Sequence, residues 1–278
     1  MILLQIEANF IPLITLSNKA SLLPMKNNYL SKFTFKRYLV ALTLGICFSL
    51  ACPLTVSANT IVIYGATGNI GSKIVTEALD RGHKVIGVSR SPETLKINHR
   101  NFSAAKGDVS DLQSMLDVIK GADTVIMSVR GSGPNNYPEE SLDYVASKVF
   151  IQAARKIGQD APRVIHLGGG STLYSKGVLA LDARPSTEGT AQHGLVWGHW
   201  LALQNYRATT AVKWTVVSPS GGYDAEGPRT GQYRQGWDEV LVDESGKSKG
   251  ISHRDMAVAI IDEIEKPKAL KRRMTIGY

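Results

Sequence analysis

The sequence predicts an α/β fold built on a doubly wound parallel sheet, with a small C-terminal portion that covers the substrate side. Three observations predict it. From residue 60 onward, short apolar runs rich in β-branched residues alternate with amphipathic segments. The runs end in glycine or small polar residues. The first of them, Thr60–Tyr64, leads directly into three glycines, Gly65, Gly68 and Gly71. Strands and helices alternating at this rhythm form a parallel sheet that binds ligands across the carboxyl ends of its strands.

The glycine stretch is the most informative element. A strand, a glycine turn and a helix in succession set backbone N–H groups and a positive helix end against a pyrophosphate. Gly65 allows the tight turn, Gly68 lets a dinucleotide approach the backbone, and Gly71 lets the helix lie close to the strand. Ile70, Ile74, Val75, Ala78 and Leu79 share one face of that helix, which should stop near Arg81-Gly82.

Lys84–Ser89 reads as the second strand. An acidic residue at its end would hold the ribose 2′-hydroxyl of NAD. The chain has Ser89-Arg90-Ser91 there, and the planar, permanently charged arginine suits a 2′-phosphate, so NADP is expected ahead of NAD. Phe102–Lys106 is a weaker third strand running into Gly107-Asp108-Val109, followed by a helix carrying Leu112, Met115, Leu116, Val118 and Ile119. Val125–Val129 is the fourth strand and Arg130–Pro134 a loop. A helix over 139–157 leads to the fifth strand, Arg163–Leu167, closed by Gly168, Gly169, Gly170 and Ser171. Another helix is expected over roughly 191–208. The last helix opens at Ser252-His253-Arg254-Asp255, an approximate capping box, with a core face of Ala257, Ile260, Ile261 and Ile264. His253 is expected at the surface.

The 278 residues are 43% hydrophobic and 20% charged, as in an ordinary globular protein, and carry a net charge of +8. Residues 1–58 account for half of it, with Lys19, Lys26, Lys32, Lys36 and Arg37 against Glu7. The rest is mildly basic, without the clustered lysine, arginine and aromatic residues of a nucleic-acid groove. Both cysteines, Cys47 and Cys52, lie in the N-terminal stretch, so residues 59–278 have neither a disulfide framework nor thiol chemistry.

Residues 1–58 read as a leader and 59–278 as the folded domain. From Met25 a basic region precedes the apolar run Tyr38–Ala51 and then Val56-Ser57-Ala58, the layout of a secretory signal cut after Ala58. The run falls short of the roughly 20 residues of a membrane span. A periplasmic or secreted protein is therefore expected, with an uncleaved membrane anchor as the alternative. Ser49-Leu50-Ala51-Cys52 resembles a lipoprotein box only loosely.

At this point the chain resembles the atypical branch of the short-chain dehydrogenase/reductase superfamily, whose fold is Rossmann-like. The matching motifs are Gly-Ala-Thr-Gly-Asn-Ile-Gly at 65–71, Arg90, Gly107-Asp108-Val109 and the glycine-rich end of strand five. Within it, Lys213–Pro219, Gly227–Arg234, Ile251–Ala257 and Arg272–Tyr278 are similar to the NADH-flavin reductase family. The resemblance implies that Gly65, Thr67, Gly68, Asn69, Ile70 and Gly71 hold the pyrophosphate. It implies Arg90 at the adenosine ribose or its phosphate, Asp108 and Val109 at the adenine, and Ser128 and Val129 at the nearby ribose. Leu167 and Gly168, with Ser218 and Pro219, would flank the nicotinamide.

The superfamily's usual enzymes carry a Tyr-x-x-x-Lys pair on the helix after strand five. Here Tyr144 and Lys148 have that spacing but lie on the preceding helix, and are read as a coincidence. Ser171 remains a candidate proton donor or substrate anchor, with Tyr174 nearby. His193, Trp197, His199 and Trp200 are read as packing at a pocket wall, not as metal ligands, because six-residue spacing does not bring His193 and His199 to one helix face. Hydride transfer to a stacked flavin needs mainly proximity, and the cofactor supplies the chemistry. The expected reaction is therefore hydride transfer from NADPH to a flavin such as FMN or FAD, or a similar flat acceptor. The expected cleft is apolar and aromatic-lined, with Trp197, Trp200 and Tyr206 as wall residues or, equally, core, and is covered by 172–212 and 220–250. The expected partner is this small acceptor, with no nucleic acid, and a membrane only through an uncleaved leader. The alternatives are a non-catalytic redox-sensing or scaffold protein and a sugar-nucleotide epimerase.

Overall fold

The computed structural model describes residues 58–278, so the leader up to residue 57 lies outside the described residues. In chain order the elements are β1 (Thr60–Tyr64), α1 (Asn69–Asp80), β2 (Lys84–Ser89), β3 (Phe102–Lys106), α2 (Leu112–Ile119), β4 (Thr124–Met127), α3 (Leu142–Ile157) and β5 (Arg163–Leu167). Then come β6 (Tyr174–Ser175), β7 (Val178–Leu179), α4 (Ala180–Ala183), α5 (Ala191–Arg207), β8 (Trp214–Pro219), β9 (Tyr223–Asp224), β10 (Arg234–Gly236), β11 (Ile251–Ser252), α6 (His253–Glu265) and β12 (Arg272–Gly277).

Eight strands form one sheet in the order β10-β12-β8-β5-β4-β1-β2-β3. All pairings are parallel except that of β10 on β12. The alternation of side chains along β1 organises the core. Ile61 and Ile63 point to a layer formed with α1 and α6, including Ile74, Ala78, Met256 and Ile260. Val62 and Tyr64 point to the opposite layer, formed with α2, α3 and α5, including Met115, Phe150 and Leu203. Each fully buried aliphatic side chain of this kind contributes about 1.5–3 kcal/mol. Helices thus cover both faces, and the sheet is doubly wound.

The expected elements differ from the observed ones at a few boundaries. Strand β4 stops at Met127, two residues before the expected Val129, because Ser128 turns toward the glycine loop. Helix α3 begins at Leu142 because the Ser141 hydroxyl caps it, accepting from Tyr144 N at 3.2 Å. The expected capping box at the start of α6 is only half formed. Ser252 accepts from Asp255 N at 2.9 Å, but Asp255 does not reach back. Instead Ser252 N donates to the Tyr278 hydroxyl, which donates to Asp255 at 2.6 Å. The C-terminal tyrosine therefore does the work of the missing glutamate.

Strands β8 and β12 extend the expected parallel sheet through the motifs at 213–219 and 272–278, and β10 adds one antiparallel strand at its edge. It reaches the edge through a loop, with no helical crossover to impose a parallel direction. None of the helices among the described residues is long and apolar enough to cross a membrane.

Candidate functional site

The site begins where β1 ends. Gly65 adopts φ +78°, and a Cβ there would run into the Ser128 carbonyl, so the turn admits only glycine. Gly68 is the N-cap of α1, with extended backbone and no side-chain cap. The first N–H groups of α1 are thus left for a ligand, beside the positive end of the helix. Around Gly68 the only close atom a Cβ would meet is the Gly65 carbonyl oxygen, at 3.1 Å. Gly71 faces inward, where a Cβ would collide with that same carbonyl. A bare backbone cradle with an uncapped helix end fits a pyrophosphate.

This cradle opens into a cavity of about 1530 Å³ across the carboxyl ends of the strands. Its wall includes Gly65, Thr67, Gly68, Asn69, Ile70, Arg90, Asp108, Val109, Ser128, Val129, Leu167, Gly168 and Pro219 from the expected set. Two of the expected residues lie one layer behind it. Gly71 packs the helix against the loop, and Ser218 is fully buried behind Gly168, where a glycine Cβ would stand 3.1 Å from its hydroxyl. Ser171 lies on the wall, whereas Tyr174 lies off it in the β6–β7 hairpin. Tyr144 and Lys148 are also off the wall, the lysine sitting over the tyrosine ring at 5.2 Å.

The covering segments are the expected ones, since Ser175–His199 and Gly221–Ser248 contribute wall residues. The aromatic lining is not. Trp197 and Trp200 pack on Leu179, Leu181 and Val196. Tyr206 is fully buried and stacks on Trp214 at 5.9 Å between centroids. Among the described residues the tyrosines on the wall are Tyr64 and Tyr223. Trp197 packs on the covering segment, Tyr206 in the second core layer and Trp200 against both, so their aromatic character is spent on packing.

His253 is another correction. It is 7% exposed and lines the cavity, edge-on to Tyr223 at 5.3 Å, because the β9–β11 pairing folds over the start of α6. Burial, then the charge of Lys73, holds its imidazole below the ordinary range, so it is neutral at pH 7. His193 contacts Ser186 at 3.2 Å on the edge of the covering segment.

Charge is distributed unevenly around the wall. Arg90, Arg130, Arg184 and Lys247 reach the cavity, against the single carboxylate Asp108. Asp108 accepts from the Ser110 hydroxyl at 2.6 Å and its backbone N–H at 2.8 Å. These bonds, with Arg90 beyond them, hold its carboxyl below the usual range despite partial burial. Tyr64 stays protonated, since burial first and Asp108 second push its hydroxyl up.

The sequence reading missed Asp143, which is fully buried between His166 and His199. The one signal was an aspartate on the apolar stripe Asp143, Ala146, Ser147, Phe150 of α3, where a solvated residue does not belong.

A model of NAD(P)H-binding proteins matches residues 65–267. The chain belongs to that family. As a member of the NAD(P)H-binding family it is similar in structure to a "putative epimerase" from Bacteroides thetaiotaomicron, with 32% identity and a TM-score of 0.69, covering 80% of this chain and 98% of that one. A "putative exported protein" from Burkholderia pseudomallei is also 32% identical, with a TM-score of 0.66, covering 79% of this chain and 100% of the other. A "putative NADH-flavin reductase" from Streptococcus pneumoniae is 26% identical, with a TM-score of 0.65 and coverage of 79% and 99%. The family match begins at Gly65, the first residue of the cradle.

Proposed function

We propose that this NAD(P)H-binding protein is an NADPH-dependent oxidoreductase that passes hydride to a flavin or a similar flat acceptor. The observation that carries the proposal is the extent of the cavity. From Arg90 it passes the glycine cradle and Leu167–Gly168 and continues beneath the covering segments. Its volume of about 1530 Å³ exceeds the roughly 300–1,000 Å³ of ordinary ligand pockets, leaving room for a second ring system beside a dinucleotide.

Gly65, Thr67, Gly68, Asn69 and Ile70 would hold the pyrophosphate and Arg90 the 2′-phosphate. Asp108 and Val109 would take the adenine, Ser128 and Val129 the adjoining ribose, and Leu167, Gly168 and Pro219 the nicotinamide, with Gly71 and Ser218 supporting from behind. When bound, the dinucleotide supplies the hydride. The chain binds it, orients the acceptor and keeps bulk water out. Export is part of the proposal, supported by the leader's layout and by the name of the Burkholderia pseudomallei relative.

The purified protein should oxidise NADPH in the presence of FMN, FAD or a quinone, followed by the loss of dihydronicotinamide absorbance. Cofactor binding with no turnover on any of these acceptors would sink the proposal. A second, redox-sensing reading draws on the absence of Tyr144 and Lys148 from the wall. It expects NADP⁺ and NADPH to change capture of a protein partner differently.

A further inference from the structure

The cations on the cavity wall exceed those that the dinucleotide uses. Arg90 and Asp108 stand past the ends of β2 and β3, at one end of the cavity. Arg184 and Lys247 belong instead to the two covering segments. These segments form one roof, tied together at Tyr174. Its N–H donates to the Asp238 carbonyl at 2.9 Å, and its carbonyl accepts from Val240 N at 2.8 Å. From that tie one segment passes through β7 and α4 to Arg184, and the other runs through Val240 and Val242 to a turn at 243–247.

The roof is anchored over the nicotinamide half. Ser248, next to Lys247, shares a 2.8 Å hydrogen bond with the hydroxyl of Ser220, which also accepts from Leu241 N at 2.8 Å. Ser220 directly follows Pro219, the last residue of β8. On the other segment, Ala180 N donates to the Leu173 carbonyl at 2.9 Å, which holds α4 near the end of β5. In the sheet β8 and β2 are four strand spacings apart, about 19 Å at roughly 4.8 Å each. A 2′-phosphate on Arg90 is therefore out of reach of Lys247, and the pyrophosphate between them has the glycine cradle.

Neither roof cation is spent on the protein. Among the described residues the arginines in ion pairs are Arg81, Arg163, Arg207, Arg229 and Arg273, and no side-chain hydrogen bond leaves Arg184 or Lys247. Asp243, the carboxylate of the Lys247 turn, accepts from the Ser245 hydroxyl at 2.6 Å and from the backbone N–H groups of Ser245 and Lys247. Asp143 stands behind His199, off the wall. Two unpaired cations, with Asp108 at the far end as the carboxylate on the wall, make this half of the cavity attractive to an anion.

We infer that Arg184 and Lys247 receive a negatively charged group on the acceptor, a role that rests on the reductase reading. The acceptor is then an anionic flat molecule, a ring system bearing a phosphate, sulfonate or carboxylate. The ring lies beside the nicotinamide and the anionic group lies against the roof. Among flavins this selects FMN over riboflavin, which shares the ring and lacks the phosphate.

The test measures FMN and riboflavin binding by flavin fluorescence at saturating NADP⁺, where no turnover occurs, in wild type, Arg184→Gln, Lys247→Gln and the double variant. Both residues are exposed, so the fold should hold, and thermal melts check that. Wild type should bind FMN about tenfold or more tightly than riboflavin. Each single variant should cut that ratio about 3- to 10-fold, as expected for one partly solvated charge contact, and the double variant should bring it near one. Added salt should shrink the wild-type ratio, and NADP⁺ affinity should hold. Turnover of a naphthoquinone with and without a sulfonate shows whether anions other than phosphate are received. Equal wild-type affinity for FMN and riboflavin, or a ratio untouched by both variants, overturns the proposal and leaves the reductase reading intact. A loss of NADP⁺ affinity as large as the loss for FMN gives the cations to the cofactor and overturns it too. No NADPH oxidation by wild type with any acceptor overturns the reductase reading instead, and the fluorescence titration still decides whether the roof holds an anion.

Discussion

Arg229 grips Glu77 with two nitrogens, Nε to Oε2 at 2.7 Å and Nη2 to Oε1 at 2.8 Å. Glu77 is on α1, 4% exposed, and also receives Arg81, which itself reaches Asp262 and Glu265 of α6. The Arg229 hydrogen bond, more than any other contact, holds the Glu77 carboxyl below its usual range against the effect of burial. The Gly-Pro-Arg stretch at 227–229 therefore clamps the cofactor helix from outside the cavity.

Glu77→Gln should cost about 1 kcal/mol, since it weakens contacts to two partly solvated cations, and Arg81 keeps Asp262 and Glu265. At the size of this domain that is a fall of roughly 2–4 °C in melting temperature. Thermal melts check it, and a melting temperature equal to wild type would show the clamp to be idle.

Gly68→Ala and Gly71→Ala should part company. At 68 the added methyl reaches only toward the Gly65 oxygen and the cavity, so stability should hold while NADP⁺ affinity drops by about tenfold or more, as when a backbone approach is blocked. At 71 the methyl meets backbone, so both stability and affinity should fall, by roughly 1–3 kcal/mol in stability. Calorimetry and melts on the two variants decide between these outcomes.

Arg90→Ala should weaken NADPH binding by roughly 10- to 100-fold, the loss of one charge-assisted contact, and leave NADH binding unchanged. Titration with both cofactors reads this directly. Equal losses for the two would remove the 2′-phosphate from Arg90.

Acid stability should reflect Asp143. Its folded-state carboxyl sits at about 2, below the ordinary value of about 3.9 for a free aspartate. A depressed carboxyl contributes stability above the unfolded value and loses it as pH falls through the folded one. The window is therefore about pH 4 down to pH 2, and the contribution is roughly 2 kcal/mol. Urea unfolding across that window should show a steeper loss in wild type than in Asp143→Asn.

Export predicts a mature N-terminus at Asn59, immediately before β1. N-terminal sequencing of the protein from fractionated cells tests it, and an intact leader on soluble protein would contradict it.

The sequence by itself determined the elements that depend on near neighbours. The run Thr60–Tyr64, the three glycines and the stripe Ile74, Val75, Ala78, Leu79 are repeats of two to four residues, and β1 and α1 stand where those repeats place them. Thirteen of the fifteen expected cofactor residues reach one cavity because parallel strands end on the same side of the sheet. Only the tertiary structure decided the rest. Asp143 meets a histidine 23 residues away, and Arg229 meets a glutamate 152 residues away. It also packed Trp197, Trp200 and Tyr206 away from the cavity and set His253 on its wall. Such outcomes depend on which faces the crossovers bring together, and a short-range pattern carries no information about that.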